Sequence, residues 1–330
     1  MPITQENQHD RQSPLRIAVT GASGFAGQSI VRDLRNAGHI VRPIVRRPVA
    51  DDADTVTVAD IGPSTDWTAA LREVDVVVHC AAIAADSRRS AGSPADKLTR
   101  VNVLGTRRLA EESARLGVRR LVFVSSIKAI AGNADNRCPL TPADSPLPGD
   151  AYGDSKLAAE RDLQAVASST GLEAAIVRPP LIYGPGVRGN FRALLKAARS
   201  GIPLPVAGIE NRRSYLGLTN LTSFIRTCAE HSAGAGGVYH ISDGEDLSTH
   251  SLMELIAKAM GRKPRTFRVP TEFLSLARRV PRLRRPLDSL LGSLQLDIND
   301  ARRSLGWSPA VTAETQISET VDWYLSASTR

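Results

Sequence analysis

The chain has 330 residues, 42% hydrophobic and 23% charged, with 25 Gly and 20 Pro, which excludes a disordered, collagenous or coiled-coil chain and suits one large α/β unit carrying a smaller lobe. A formal charge of +8 favours an anionic partner, while 4% aromatic residues argue against a base-stacking nucleic-acid surface, leaving a phosphate-bearing small molecule as the expected ligand. No apolar run, Val74–Ala85 included, reaches the roughly 18–20 residues of a membrane span; Met1–Pro14 reads as a flexible polar tail, and three scattered cysteines (Cys80, Cys138, Cys228) point to a reducing, cytoplasmic setting without disulfides or zinc.

Leu15–Thr20 has a short buried-strand pattern, then come glycines and a helical pattern over Gln28–Ala37 that stops at Gly38. His39–Val45 and Thr55–Ala59 read as two more strands. Val74–His79 is a continuous apolar run, as in a strand covered on both faces. A long helix is expected over Asp96–Leu116, a strand at Arg120–Ser125, a surface loop at Asn133–Gly149, a helix from about Gly153 and a strand at Gly171–Arg178. Strands alternating with helices of this length imply a doubly wound parallel sheet of dinucleotide-binding type over residues 15–180. After Pro179 the alternation weakens. Short helices and isolated strands (Gly237–Ser242, Thr266–Val269) suggest a smaller α+β lobe over 181–330, interleaved with the first domain. Arg278, Arg279, Arg282, Arg284 and Arg285 form the densest charge run, read first as a solvated helix face and second as a phosphate or membrane-surface contact.

Thr20-Gly21-Ala22-Ser23-Gly24-Phe25-Ala26-Gly27 follows the first strand and opens the first helix. Glycines there permit a tight turn and close backbone approach to a pyrophosphate, and the helix N-terminus offers free N–H groups. The second strand ends in Arg46-Arg47, with no carboxylate before Asp51. A guanidinium accommodates a 2′-phosphate that an acid would repel, so NADP(H) is favoured over NAD(H). Asp60, with Ile61 beside it, stands just past the third strand where a carboxylate can accept from the adenine amino group; a helix cap is its blander reading.

Tyr152 and Lys156 stand at i and i+4 on one helix face, and Ser125-Ser126 ends the fifth strand. A neighbouring ammonium and an oxidised nicotinamide are expected to lower the phenol pKa, so that Tyr152 can exchange a proton with a sugar hydroxyl or carbonyl. Cys80, His79, His231, His240 and Trp307 read as packing residues.

This ordered set resembles the extended short-chain dehydrogenase/reductases, in particular the nucleotide-sugar epimerase/dehydratase/reductase family, over roughly Leu15 to Trp307. The resemblance implies a cofactor site from Gly21, Ser23, Gly24, Phe25 and Gly27, from Ala81 and Ala82 after the fourth strand, from Asn102 of an NxxGT element and from Pro179 of the Arg178–Gly186 segment. It implies a Ser126, Tyr152, Lys156 catalytic set, Lys156 also holding the nicotinamide ribose. It further implies a UDP-sugar diphosphate held by Asn190 and Arg213, no metal, and a homodimer formed through the helices near Asp96–Leu116 and Gly153–Ser168. Sugar dehydratases of the family follow the triad hydroxyl with Asp-Glu, whereas Ile127-Lys128 stand here, which argues against water elimination. With Arg46-Arg47 favouring NADPH, the expected reaction is 4-ketoreduction of a UDP-2-acetamido-2,6-dideoxy-4-hexulose in polysaccharide sugar synthesis. UDP-hexose 4-epimerisation with tightly bound NAD is the alternative. A steroid- or flavonoid-type reductase and a non-catalytic redox sensor are more distant readings.

Overall fold

The structure is a computed structural model and describes residues 13–48, 52–83, 93–132, 138–231, 235–269, 280, 287–288 and 290–327. The arginine run at 278–285 lies outside the described residues, as does most of the N-terminal tail. The first half runs β1 (Arg16–Thr20), α1 (Phe25–Asn36), β2 (Ile40–Val45), β3 (Val56–Thr57), α2 (Thr68–Leu71), β4 (Val76–His79), α3 (Pro94–Leu98), a π-helical turn (Thr99–Leu104), α4 (Gly105–Arg115), β5 (Arg120–Val124), a 3₁₀ turn (Ile127–Ala129) and α5 (Ala151–Thr170). The second runs β6 (Glu173–Arg178), β7 (Leu181–Tyr183), α6 (Gly189–Ser200), β8 (Leu204–Ala207), β9 (Arg213–Gly217), α7 (Leu218–Glu230), β10 (Gly237–His240), β11 (Asp246–Leu247), α8 (Thr249–Ala259), β12 (Thr266–Arg268), α9 (Asn299–Leu305) and α10 (Ala313–Ala327).

Seven parallel strands form the main sheet in the order β10-β6-β5-β4-β1-β2-β3. All four residues of β4 and all five of β5 are buried, as continuous apolar strands between two helical layers must be. Ile30 and Leu34 of α1 and Leu221 and Phe224 of α7 cover one face with Trp307; Leu109 of α4 and Leu163 of α5 cover the other. The chain thus has the doubly wound α/β fold expected from its sequence. Among the described residues no helix is long and apolar enough to cross a membrane.

Two elements differ from the sequence expectation. The helix expected over Asp96–Leu116 is interrupted by the π turn, which carries the buried Asn102 inward. The helix resumes at Gly105, where a Cβ would stand 2.6 Å from Ile61 Cγ2, so glycine lets it pass close to the third-strand loop. The strand expected at Gly237–Ser242 belongs to the main sheet as its edge, Val238 facing Ile176 and His240 facing Arg178. A short parallel edge strand has no local mark that tells which sheet it will join.

Two smaller sheets, β11-β9-β7 and β12-β8, build the second layer system. Its core packs Tyr183, Phe191 and Leu195 against Leu252, Ile256, Ile317 and Val321. The buried Asp243 carboxylate is the polar hub here, accepting from Tyr183 Oη at 2.7 Å, Gly217 N at 2.9 Å and Asn220 Nδ2 at 2.8 Å. Arg120 joins the layers: fully buried at the start of β5, it pairs with Glu173 and donates to Cys228 O, Ala229 O and His231 O at the end of α7.

Candidate active site

The carboxyl ends of β1 and β4 and the N-terminus of α1 form a cradle with little room for side chains. Gly21 has φ +67°, and a Cβ on it would lie 2.8 Å from Ala81 N. Gly24 N donates to Gly21 O at 2.8 Å, and a Cβ on Gly27 would fall 2.2 Å from the same oxygen. Gly24 caps α1 without a side-chain hydrogen bond, so the first N–H groups of the helix remain for an anion. Beside them Ser23 is exposed, and Phe25 packs against Gly186 of the β7–α6 loop. A loop with no Cβ at its closest approaches and uncapped amides at a helix start fits a dinucleotide pyrophosphate. Gly27→Ala is therefore expected to cost about 1–3 kcal/mol of stability by overpacking and to strip bound nucleotide; denaturant unfolding and nucleotide release on heating measure both.

Arg46 and Arg47 are exposed directly after β2. The first described carboxylate beyond them, Asp52, is held by Arg35 through contacts of 3.0–3.2 Å, which also keep its pKa below the usual range. Asp60 is half exposed; one carboxylate oxygen pairs with Arg100 and the other accepts from Ile61 N at 2.9 Å. Ala81 and Ala82 follow β4. Asn102 clamps that loop, accepting from Ile83 N at 2.8 Å and donating to Ile83 O and Ser155 Oγ, each at 3.0 Å. Both amide hydrogens are thereby used, so Asn102 acts by fixing the loop against α5. Pro179, buried after β6, accepts at its carbonyl from Ile127 N at 2.9 Å.

Ser126 caps the 3₁₀ turn, its Oγ accepting from Lys128 N at 3.2 Å. Tyr152 and Lys156 lie in the first turns of α5, capped by Asp150, whose Oδ1 accepts from Gly153 N at 2.8 Å. A Cβ on Gly153 would be 2.3 Å from Lys128 O, so the start of α5 is pressed onto the turn that begins at Ser126. Lys156 is buried, donates from Nζ to Val124 O at 2.8 Å and lies 4.4 Å from the Phe123 ring centre. Serine, tyrosine and lysine thus share one corner, where β5 ends and α5 begins.

The protein's own groups set the phenol high. Burial first, and Asp150 second, push the Tyr152 phenol up to about 12. Lys156 is itself pulled down to about 8 by burial, with Cys80 and Glu160 pushing back. The Lys156 ammonium is engaged by the Val124 carbonyl. A second cation stands by the ring: Lys128 Nζ is 6.0 Å from the Tyr152 centroid and pairs with Asp150 at 2.7 Å. Asp150→Asn keeps the helix cap but removes the charge that raises the phenol pKa. The limb of the pH–rate profile on which activity rises as the phenolate forms is then expected to move to lower pH; an unmoved limb would separate Asp150 from Tyr152 ionisation.

The remaining groups are structural. His79 is buried between Thr20 Oγ1 at 2.7 Å and Thr106 Oγ1 at 3.0 Å and is drawn down to about 3 by burial. Because Thr106 donates to Asn102 O at 2.6 Å, its oxygen receives the His79 Nε2–H, which fixes the neutral tautomer. Cys80 is pushed up to about 12 by burial and stays a thiol. Among the described residues no cluster of ligands could hold a metal. Sequence reasoning missed Glu160, one turn beyond Lys156, which accepts from Ser125 Oγ and pairs with Arg178 at 2.6 Å, joining the ends of β5 and β6 to α5. Its i+4 spacing from Lys156 was the available signal. Asn190 is exposed in the first turn of α6, and Arg213 starts β9, its Nη1 donating to Gly292 O at 2.6 Å; both belong to the smaller layer system, which β7 joins directly to the end of β6.

The chain is 36% identical to UDP-glucose 4-epimerase of Vibrio cholerae over 324 residues, covering 97% of this chain and 99% of that one. It is 29% identical to a 3-beta-hydroxysteroid dehydrogenase of Mycolicibacterium neoaurum, covering 94% and 91%. The structure of MoeE5 in complex with UDP-glucose and NAD superposes with a TM-score of 0.74 at 25% identity, covering 94% of this chain and 99% of that one. Residues 17–242 match the model of the NAD dependent epimerase/dehydratase family. That span takes in the glycine cradle, the β5–α5 corner and the β10 edge strand together, and the chain belongs to this family of NAD-dependent epimerases and dehydratases.

Proposed function

We propose that the chain is a UDP-hexose 4-epimerase, oxidising the sugar at C4 and reducing it again on the opposite face. The observation that carries this reading is the end-to-end similarity to a UDP-glucose 4-epimerase, joined to a Ser126–Tyr152–Lys156 corner that lies beside a nucleotide cradle. The sequence favoured a ketoreductase; the likeness to a UDP-glucose 4-epimerase supports epimerisation better, and the likeness to MoeE5 bound to UDP-glucose and NAD supports retained NAD.

When bound, the nicotinamide ring takes up the C4 hydrogen with its electron pair and later returns it. Tyr152 accepts the C4 hydroxyl proton in the first half and gives it back in the second. Ser126, held in register by Ile127 N on Pro179 O, orients that oxygen with its hydroxyl. Lys156 would favour the phenolate by its charge and hold the nicotinamide ribose. Burial sets the phenol high, and the positive charge of an oxidised ring would favour its ionisation. Asn190 and Arg213 would hold the diphosphate. Ile127-Lys128 after the triad serine leaves no acid–base pair for dehydration, and Lys128 is already paired with Asp150.

One observation favours a second reading, NADPH-dependent 4-ketoreduction. Arg46 and Arg47 are exposed after β2, and Asp52 is occupied by Arg35. Purified protein separates the two. An epimerase carries NAD and converts UDP-glucose to UDP-galactose with nothing added; a reductase carries little nucleotide and oxidises NADPH only with a UDP-4-keto sugar. Arg46→Ala is expected to weaken NADPH by about tenfold or more with little effect on NADH if a 2′-phosphate is held there, from the loss of about 1.5–3 kcal/mol per charged hydrogen bond. Equal effects on both would remove Arg46 from cofactor choice.

A further inference from the structure

The positive charge of this chain is not spread over it. Between residues 258 and 285 stand ten Lys or Arg and one acid, Glu272, so this short segment alone accounts for the formal excess of +8. A UDP-sugar held at the carboxyl end of the sheet does not explain it. Its described part lies elsewhere: Arg262, Lys263 and Arg265 line a cleft of about 400 Å³ where α6 and α8 end. Asn190 begins α6 and Gly201 follows its last residue, so cleft and proposed diphosphate site are at opposite ends of a 12-residue helix, about 18 Å apart by helix rise.

The cleft has a second property. Ile202 in its lining is 59% exposed. Arg262 donates to Arg199 O and Arg265 to Gly201 O, so each guanidinium caps the end of α6. Among the described residues no carboxylate pairs with Arg262, Lys263, Arg265 or Arg268, whereas Lys258 is neutralised by Glu314 at 2.8 Å. An exposed apolar side chain amid cations that have no carboxylate partner is the pattern of an interfacial surface. A second copy of the same face would repel this one, and a nucleic acid would offer nothing apolar to bury Ile202.

We propose that this face, formed by Ile202, Arg262, Lys263 and Arg265, docks on an anionic lipid bilayer, the basic side chains meeting headgroup phosphates and Ile202 entering between them. The chain is then a peripheral enzyme whose sugar site stays open to solvent at the far end of α6.

The test is co-sedimentation of the full chain with vesicles of phosphatidylcholine alone and with 30% phosphatidylglycerol, at low and high salt. Binding to the anionic vesicles only, weakened by salt, is expected. Lys263→Glu with Arg265→Glu should lower it about 25-fold or more, from about fivefold per basic side chain, while circular dichroism and turnover of soluble UDP-sugar stay unchanged. Ile202→Ser should lower the binding that survives high salt. Equal binding to both vesicle types, no binding to either, an unaffected charge-reversal variant, or retention by a DNA duplex instead of vesicles would each overturn the proposal.

Discussion

Tyr152→Phe is expected to lower turnover by about 10²–10⁴-fold while the protein still folds and retains nucleotide. The argument rests on removing one oxygen. The ring is mostly buried, its hydroxyl supports no protein group among the described residues, and the first turn of α5 is held by Asp150 and by the contact of Gly153 with the Lys128 carbonyl. Phenylalanine preserves the packing and deletes the group that exchanges a proton with the sugar oxygen. Turnover and nucleotide stoichiometry on the same preparation separate the two effects. Near-normal turnover would take Tyr152 out of the mechanism.

The second large effect lies behind the site. Arg178 and Glu160 are buried with 7% and 2% side-chain exposure, and Glu160 also receives Ser125 Oγ. Arg178→Met leaves a buried carboxylate facing one hydroxyl, and about 3–5 kcal/mol of stability is expected to be lost in denaturant unfolding. The pair Glu160→Leu with Arg178→Met removes both charges and should recover most of it, because the cost comes from the stranded ion. The rescued protein should still turn over slowly, since the tie from α5 to the strand end carrying Ser126 is gone. A single variant as stable as the parent would show that the pair does not hold this corner.

The parts of the fold legible in the sequence were those whose cause is local. Val74–His79 and Arg120–Ser125 are apolar throughout because both faces of the sheet are covered, and the structure places buried strands at Val76–His79 and Arg120–Val124. Glycines 21, 24 and 27 were readable because close backbone approach excludes a Cβ, and the distances of 2.2–3.0 Å show how little space there is. What escaped depends on partners far along the chain. The close pass of Gly105 over Ile61 depends on the third-strand loop, the place of β10 on pairing with β6, and the Asp243 hub on donors from β7, β9, α7 and α10. The hydrogen bond of Lys156 escaped in the same way: helical spacing puts Tyr152 and Lys156 on one face, but the ammonium is held by Val124 O, on a strand the spacing does not see.

The most direct test of the account follows the hydrogen at C4. UDP-glucose deuterated at that carbon is incubated with the purified protein, and the label in UDP-galactose is read by mass spectrometry and NMR. Oxidation and return through a bound nicotinamide predict deuterium retained at C4 of the product, with none from the sugar appearing in water. Loss of the label to solvent would mean that Tyr152 and its neighbours remove a carbon-bound proton, and would contradict the proposed chemistry.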